Sequence, residues 1–478
     1  MSKLWIKILV FVMGLQLVVL ATLATVLYSK SASNIEVALT VCFLITFFIL
    51  TTWKPYYGIY IFVSAAVIVG PSFLTLPYEL EKRFFFYYYH FTIDDVKLYL
   101  NEMMIIIITL SIFVNMLLSR PNSKGGQLKI KSIDALHLWV LFFIFIGVLS
   151  ILRGITKYGF QAAFGDGRIV FFSILFFLTI ASFNSVDQVS LLFKVFFVSI
   201  SVRLIINLLT PFLNPSYLYY EKSLYESLHG LKPFGSGTDA AYMGLSLIAL
   251  IIRLIRYKNV KLKTLFLAIA FTTDLLLITS RSAIIAFLII LIIISLQANI
   301  IAKLKFLMAA FLISISLFML IINIFPFFLE NLSERYKGIL GYAEDDTGVW
   351  RLISWNYGFE KISENPILGQ GFGSYAQRWV QGSWVSVDLH NAYLDIALRM
   401  GLIGVIIFLI IFGKSMWNIL IVRFKKPKYR FYADILFLSM IYLGVFIAFN
   451  ADMREARAGT MLWIIFGLSH VLRKGANL

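Results

Sequence analysis

Continuous apolar runs of roughly 17 to 23 residues recur along the whole chain, and each is long enough as a helix to cross ~30 Å of hydrocarbon. About fourteen such runs stand out on that length criterion: 5–28, 35–52, 57–74, 101–118, 135–152, 168–184, 188–210, 239–256, 261–279, 282–298, 303–325, 395–422, 433–450 and 457–472. They are unbroken rather than alternating, and too long for barrel strands, so helices are expected throughout. The expected class is an all-α polytopic membrane protein with about 12–14 transmembrane helices. Composition agrees, since 60% of residues are hydrophobic and only 14% are charged. The first run follows Lys3 and Lys7 and is too long for the apolar core of a secretory signal. Ser31-Ala-Ser33 is therefore not read as a cleavage site, and an uncleaved first span is expected.

A formal charge of +17 at pH 7 invites a nucleic-acid reading, but the placement of the charges argues against it. Basic residues gather in alternate loops: Arg120 to Lys131, Arg253 to Lys263, Lys303 and Lys305, Arg423 to Arg430, and Arg473 with Lys474. Acids gather in the other set, including Glu79, Asp94, Asp95, Glu221, Glu226, Glu330 and Glu344 to Asp346. That is the positive-inside pattern, and it predicts both termini in the cytoplasm and no nucleic-acid partner. The single cysteine, Cys42, lies inside a run, so neither an intrachain disulfide nor a thiolate metal site is available.

The chain reads as one integral membrane domain, 1–478, without internal repeats. Three outer loops are long: 75–100, 211–238 and 326–392. The first carries an aromatic run, Phe84 to Tyr89, beside His90, suited to an interfacial belt. The last is the largest and carries its own aromatic residues, so a folded cap bearing part of an active site is expected there. Within it, 349–363 reads as an amphipathic helix with Trp350, Ile353, Tyr357 and Phe359 on one side, ended by Pro366 and three glycines.

Polar residues are costly in so apolar a chain, and those at its outer face are the candidates for chemistry. Arg281 sits in Ile278-Thr-Ser-Arg-Ser282, a near-loopless hairpin between two runs. It is either a snorkelling end residue or an anion-binding guanidinium beside a helix N-terminus. Arg203 and Asp274 each lie within a run, and their mutual pairing is the economical expectation, with a substrate role as the alternative. The acidic turn Glu344-Asp-Asp346 lacks the ligand spacing of a calcium loop. Arg351 opens the amphipathic helix. His390 lies at the mouth of a run beside Asp388 and Asn391, where a neutral imidazole could take a proton from an acceptor hydroxyl. Asp395 and Arg399, four apart, are placed to pair. His137, His229 and His470 read as ordinary.

The ordered set resembles the O-antigen ligase and polymerase family of bacterial envelope glycosyltransferases. It comprises Thr279-Ser-Arg281, an arginine-led helix at 351 running into Asn365-Pro-Ile-Leu-Gly-Gln-Gly-Phe-Gly373, and His390-Asn-Ala-Tyr-Leu394 followed by Met400-Gly-Leu-Ile-Gly404. Arg399 departs from it, because many members place an acid before that last turn. The resemblance implies a metal-independent, cofactor-free glycosyltransferase of the bacterial cytoplasmic membrane, acting at its outer face on an undecaprenyl-diphosphate-linked oligosaccharide. It implies that Arg281 and Arg351 hold the diphosphate and that His390 activates the acceptor, with inversion at the anomeric carbon. Arg203, Asp274, Asn391, Tyr393, Gly371 and Gly373 are the expected substrate contacts, and a flippase and a chain-length regulator are the implied protein partners. A carboxylate-and-metal mechanism would instead use Asp94 and Asp95.

The reading preferred here is a polymerase extending an O-antigen, capsule, exopolysaccharide or teichuronic-acid-type chain on a lipid-linked repeat unit. The alternative within the family is a ligase transferring the finished glycan to lipid A–core. An alternative of another class is a lipid-linked oligosaccharide flippase, which would need charges distributed through a lumen rather than gathered at one face.

Overall fold

The computed structural model describes residues 33–68, 90–93, 96–118, 134–213, 237–256, 262–278, 280–296, 346–380, 383–387, 389–450 and 458–476, with isolated residues between 311 and 319. In chain order the elements are α1 (Ser33–Trp53), α2 (Pro55–Ile68), β1 (His90–Ile93), β2 (Val96–Tyr99), α3 (Leu100–Leu118) and α4 (Ala135–Tyr158). They continue with α5 (Phe160–Asp166), α6 (Arg168–Phe172), α7 (Ile174–Ser182), α8 (Val186–Leu213), α9 (Gly237–Arg256), α10 (Leu262–Leu277) and α11 (Arg281–Ser295). The last group is α12 (Asp346–Glu364), β3 (Ala376–Val380), β4 (Ser383–Val387), α13 (Ala392–Lys425), α14 (Arg430–Ile447) and α15 (Ala458–Gly475).

Apart from 5–28 and almost all of 303–325, which lie outside the described residues, the described part of each apolar run is largely helix, and the all-α polytopic class is borne out. Among the described residues five helices are long and apolar enough to cross a membrane: Ala135–Tyr158, Val186–Leu209, Gly237–Leu254, Ala392–Lys425 and Pro427–Ile447. The run 168–184, expected as one span, is instead part of a bent pair, Phe160–Asp166 with Arg168–Ser182, at 40°. The bend has a polar cause. Asp166 turns inward to Arg399, while Arg168 Nε donates to Glu102 Oε1 at 2.5 Å. The two small antiparallel hairpins pair His90 with Tyr99 and Ala376 with Val387; neither was expected from the sequence.

The helices pack in the manner of a bundle in lipid. On α4, Leu138, Leu141, Phe142, Phe145, Leu149 and Leu152 form an exposed stripe at three- and four-residue spacing. Val140, Phe143, Gly147, Ser150 and Gly154 line its buried face. A soluble helix reverses that arrangement, whereas in hydrocarbon the large apolar side chains meet lipid and small residues let helices approach. α4 packs on α13, α7 on α15, α8 on α2, and α14 lies against α9, α11 and α13.

Candidate functional site

α13 is broken at Gly401, whose φ of 70° and ψ of −174° interrupt the helix. A break frees two carbonyls before it and two amides after it, and in a membrane protein those groups need partners. The glycine-rich segment supplies all four. Gln370 N donates to Leu398 O at 2.6 Å and Gly371 N to Arg399 O at 3.1 Å. Leu402 N donates to Pro366 O at 2.8 Å and Ile403 N to Ile367 O at 3.4 Å. Glycine is required where the backbones close. A Cβ on Gly401 would sit 2.1 Å from Ile367 O, and one on Gly154 would sit 2.0 Å from Phe372 O.

α4 holds the other side of this segment. Arg153 Nη1 donates to Gly369 O at 2.5 Å and its Nη2 to Asn365 Oδ1 at 2.9 Å, while Phe372 N donates to Ser150 O at 3.2 Å. Beneath lies a buried charge cluster: Arg399 donates to Asp166 and, at 2.7 Å, to Asp395 Oδ1. Asp166 Oδ2 also accepts from Gly373 N at 3.0 Å. The expected Asp395–Arg399 pair is therefore present, extended by Asp166. Gly371 and Gly373, expected against substrate, give their amides to Arg399 and Asp166 and so serve the protein's own frame. Sequence reasoning missed Arg153, Lys157 and Asp166. The available signal was that Arg153 and Lys157 are basic residues in a loop the charge pattern assigns to the outside.

His390 stands at the edge of this frame. It is exposed and, among the described residues, it is the only one other than glycine with positive φ, at 49°. Conformations of that kind persist only where neighbours over-determine them. Asn391 caps α13, its Oδ1 accepting from Tyr393 N at 3.0 Å and Leu394 N at 3.1 Å. Leu389 is buried, and its carbonyl accepts from Trp355 Nε1 at 2.7 Å. Tyr393, also expected at substrate, donates its hydroxyl to Gly444 O at 3.0 Å.

α12 bears out the expected helix, and the residues placed together on one side divide, with Tyr357 packed toward Leu389 and Leu398. Its packed side is Ser354, Gly358 and Ile362, at four-residue spacing, against Leu389, Leu398 and their neighbours. Ile353 and Phe359 are exposed, and the Trp350 side chain lies outside the described residues. Such a helix offers one side to protein and an apolar side outward, as helices at a bilayer surface do. Arg351, half-buried, lies one turn before Trp355 and so on the side of α12 that holds Leu389. At the other end of α12, Glu364 raises the Lys361 pKa through a 2.7 Å hydrogen bond and accepts from Gln370 Nε2 at 3.1 Å.

Arg281 begins α11, with Ser280 at the cap position and Ser282 Oγ accepting from Asn450 Nδ2 at 2.6 Å. Asn450 and Gly444 both lie at the C-terminal end of α14, one near α11 and one near α13. The starts of α11 and α13, carrying Arg281 and following His390, are thus gathered at the same end of α14.

The expected Arg203–Asp274 pair is corrected. Arg203 is fully buried and bidentate to Asp239, at 3.1 and 2.9 Å, with Nη1 donating to Ile68 O at 3.3 Å. Asp274 accepts from Asn207 Nδ2 at 3.0 Å, and its Oδ1 is buried without a hydrogen bond. Asp239 offers a fork that matches the guanidinium, which is the stronger arrangement. Asp94, Asp95, Asp388, His229, the aromatic run 84–89, the loop 214–236 and the acids 344–345 lie outside the described residues.

The fold and this cluster define a polytopic helical membrane protein with a buried charge cluster and a glycine-rich segment gathered around a broken helix. Residues 265–409 match the family model described as O-Antigen ligase, which bears out the resemblance over the segment that holds Arg281, Arg351 and His390. A Rickettsia felis protein named as a candidate polysaccharide ligase is 30% identical over 130 residues, covering 24% of this chain and 31% of the relative. Similarly named proteins of Rickettsia prowazekii and Rickettsia conorii are 27% and 29% identical over 132 residues, each match covering 24% of this chain and 31% or 30% of theirs. The chain thus matches about a third of the length of these relatives.

Proposed function

We propose that the protein is a membrane glycosyltransferase that moves a polyprenyl-diphosphate-linked glycan onto an acceptor hydroxyl at the outer face of the cytoplasmic membrane. The observation that carries this reading is His390: exposed, held at φ 49° between a buried leucine and a capped helix, and inside the segment that matches the family. In the proposed reaction the His390 imidazole takes the acceptor hydroxyl proton, the oxygen attacks the anomeric carbon, and the bond from that carbon to the diphosphate oxygen breaks. Direct displacement inverts the anomeric centre. The polyprenyl diphosphate leaves with the bonding electrons, and Arg281 and Arg351 stabilise its charge. Guanidinium groups suit this task because they stay charged and match phosphate oxygens in pairs. Removing one such contact costs roughly 10²–10³ in rate.

Two acceptors fit the same chemistry. With a lipid-linked repeat unit the protein is a polymerase; with lipid A–core it is a ligase. The names of the relatives favour the second as much as the first. The test uses purified protein, a synthetic undecaprenyl-diphosphate repeat unit and product separation on a gel, beside His390→Ala and Arg281→Ala. A ladder from the wild type alone supports polymerase. Transfer only after lipid A–core is added supports ligase. Activity retained by His390→Ala in both assays overturns the proposed base. Replacing Asp94 and Asp95 by Asn tests metal independence, and a dead double variant would point to a carboxylate-and-metal site.

A further inference from the structure

α4 carries Arg153 and Gly154 against the glycine-rich segment, and Asp134 caps its opposite end, ~30 Å away at 1.5 Å per residue. There the structure gathers three groups that the glycan chemistry does not use. Asp134 Oδ1 accepts from Leu136 N at 3.0 Å and His137 N at 3.1 Å, which fixes the carboxylate as a helix cap. The same oxygen lies 2.6 Å from His137 Nδ1, and Oδ2 lies 2.9 Å from Nδ1 of His470, which comes from the last turns of α15. The two imidazoles meet edge to face with centroids 4.6 Å apart, and the ligand atoms of the three side chains all lie within 4.8 Å of one another.

His470 is the telling member. It is 7% exposed; its Nδ1 is paired with Asp134 Oδ2 at 2.9 Å, while its Nε2 is buried without a hydrogen-bond partner. Buried polar groups are rarely left so, and a histidine nitrogen without a hydrogen is a metal ligand. The surroundings suit a cation. Phe176 lies 5.6 Å from the His137 ring and closes one side. The nearest arginine along α15, Arg473, donates its Nη1 to Asn418 Oδ1 at 2.6 Å instead.

We propose that Asp134, His137 and His470 form a binding site for a divalent first-row transition metal, with zinc the best match. Two imidazoles and one carboxylate are the donors such ions prefer over calcium or magnesium. Three protein ligands leave a fourth tetrahedral position for water, which reaches the site past the partly exposed Asp134 and His137. Bonds of ~2.0–2.1 Å set tetrahedral donors roughly 3.3 Å apart, so the 2.6 and 2.9 Å contacts of the two imidazoles with Asp134 need to spread by less than about 1 Å. The two amides on Asp134 Oδ1 orient the carboxylate as outer-shell partners do in metal sites. The ion would staple the start of α4 to the end of α15.

The test is independent of the glycan assay. Protein purified in detergent without a histidine tag is titrated with cobalt(II), and the visible absorption bands of the tetrahedral ion are recorded. The expected result is one equivalent bound by the wild type with tetrahedral bands, displaced by zinc, and absent from both His137→Gln and His470→Gln. Zinc should raise the melting temperature of the wild type and leave both variants unmoved. A wild type without tetrahedral bands, or bands that persist in the variants, would overturn the site and leave a proton-sharing Asp–His–His cluster. Asp134→Glu, which keeps a carboxylate donor, should retain binding and guards against variants that merely fold badly.

Discussion

Replacing Arg399 by Met isolates the cost of the buried charge cluster. Arg399 is 3% exposed, and it faces two carboxylates whose side chains are themselves almost wholly buried, Asp166 and Asp395. Methionine keeps most of the volume but leaves one or both acids without a counter-charge. Breaking a buried pair by removing one partner costs ~3–5 kcal/mol, because the remaining charge is uncompensated. Here the effect should reach the upper part of that range, since two acids lose the same partner. Asp166→Asn removes one acid and keeps a carbonyl to accept from Gly373 N, so its cost should be smaller, ~1.5–3 kcal/mol for a charged hydrogen bond. The double variant should cost less than the sum, because the second change removes a charge that the first had stranded. Unfolding in mixed micelles, followed by the fluorescence of the nine tryptophans, measures all three. A methionine variant within ~1 kcal/mol of wild type, or costs that simply add, would refute the cluster as a coupled unit.

Further outcomes test the frame and the site. His390→Ala should lower glycan transfer by at least ~10²-fold with unfolding unchanged, as expected for loss of a general base, and is read by product formation. Gly154→Ala should destabilise by ~1–3 kcal/mol and reduce transfer, because its Cβ would meet Phe372 O at 2.0 Å; an unchanged unfolding midpoint contradicts the contact. Trp355→Phe removes the donor to Leu389 O, so stability should fall by ~1 kcal/mol while turnover falls further, as His390 loses its anchor. Arg203→Lys should destabilise more than Arg281→Lys, since only the former loses a fully buried fork to Asp239.

The apolar helices were legible because hydrocarbon thickness fixes how long an apolar run must be, and no partner is needed to see it. His390 and Arg351 were legible because each sits where a run or an amphipathic helix begins. Partner choice was not legible. Arg203 had acids available in Asp274 and Asp239, and only the packing of α8 against α9 decides for Asp239. Which side of α12 packs was not legible, because Ile353 and Phe359 point outward while Tyr357 and Ile362, with the small Ser354 and Gly358, touch protein. The break at Gly401 lies inside what reads as one continuous run; the resemblance marked Met400-Gly-Leu-Ile-Gly404 as a turn, but not that Ile367 O stands 2.1 Å from the missing Cβ. The pairing of His137 with His470 joins positions far apart in the chain, which no local spacing announces.

The loan of backbone from the glycine-rich segment to α13 also dictates where this chain tolerates changes in length. One residue inserted between Ile367 and Gln370 would put the two acceptors out of step with the two donors at the break. The hairpin of β3 and β4 follows immediately and takes no share in those four bonds. The connection between Val380 and Ser383 should therefore accept a tag or a grafted loop while the break stays closed. A laboratory wishing to retarget the protein would exchange that connection and leave residues 365–374 untouched.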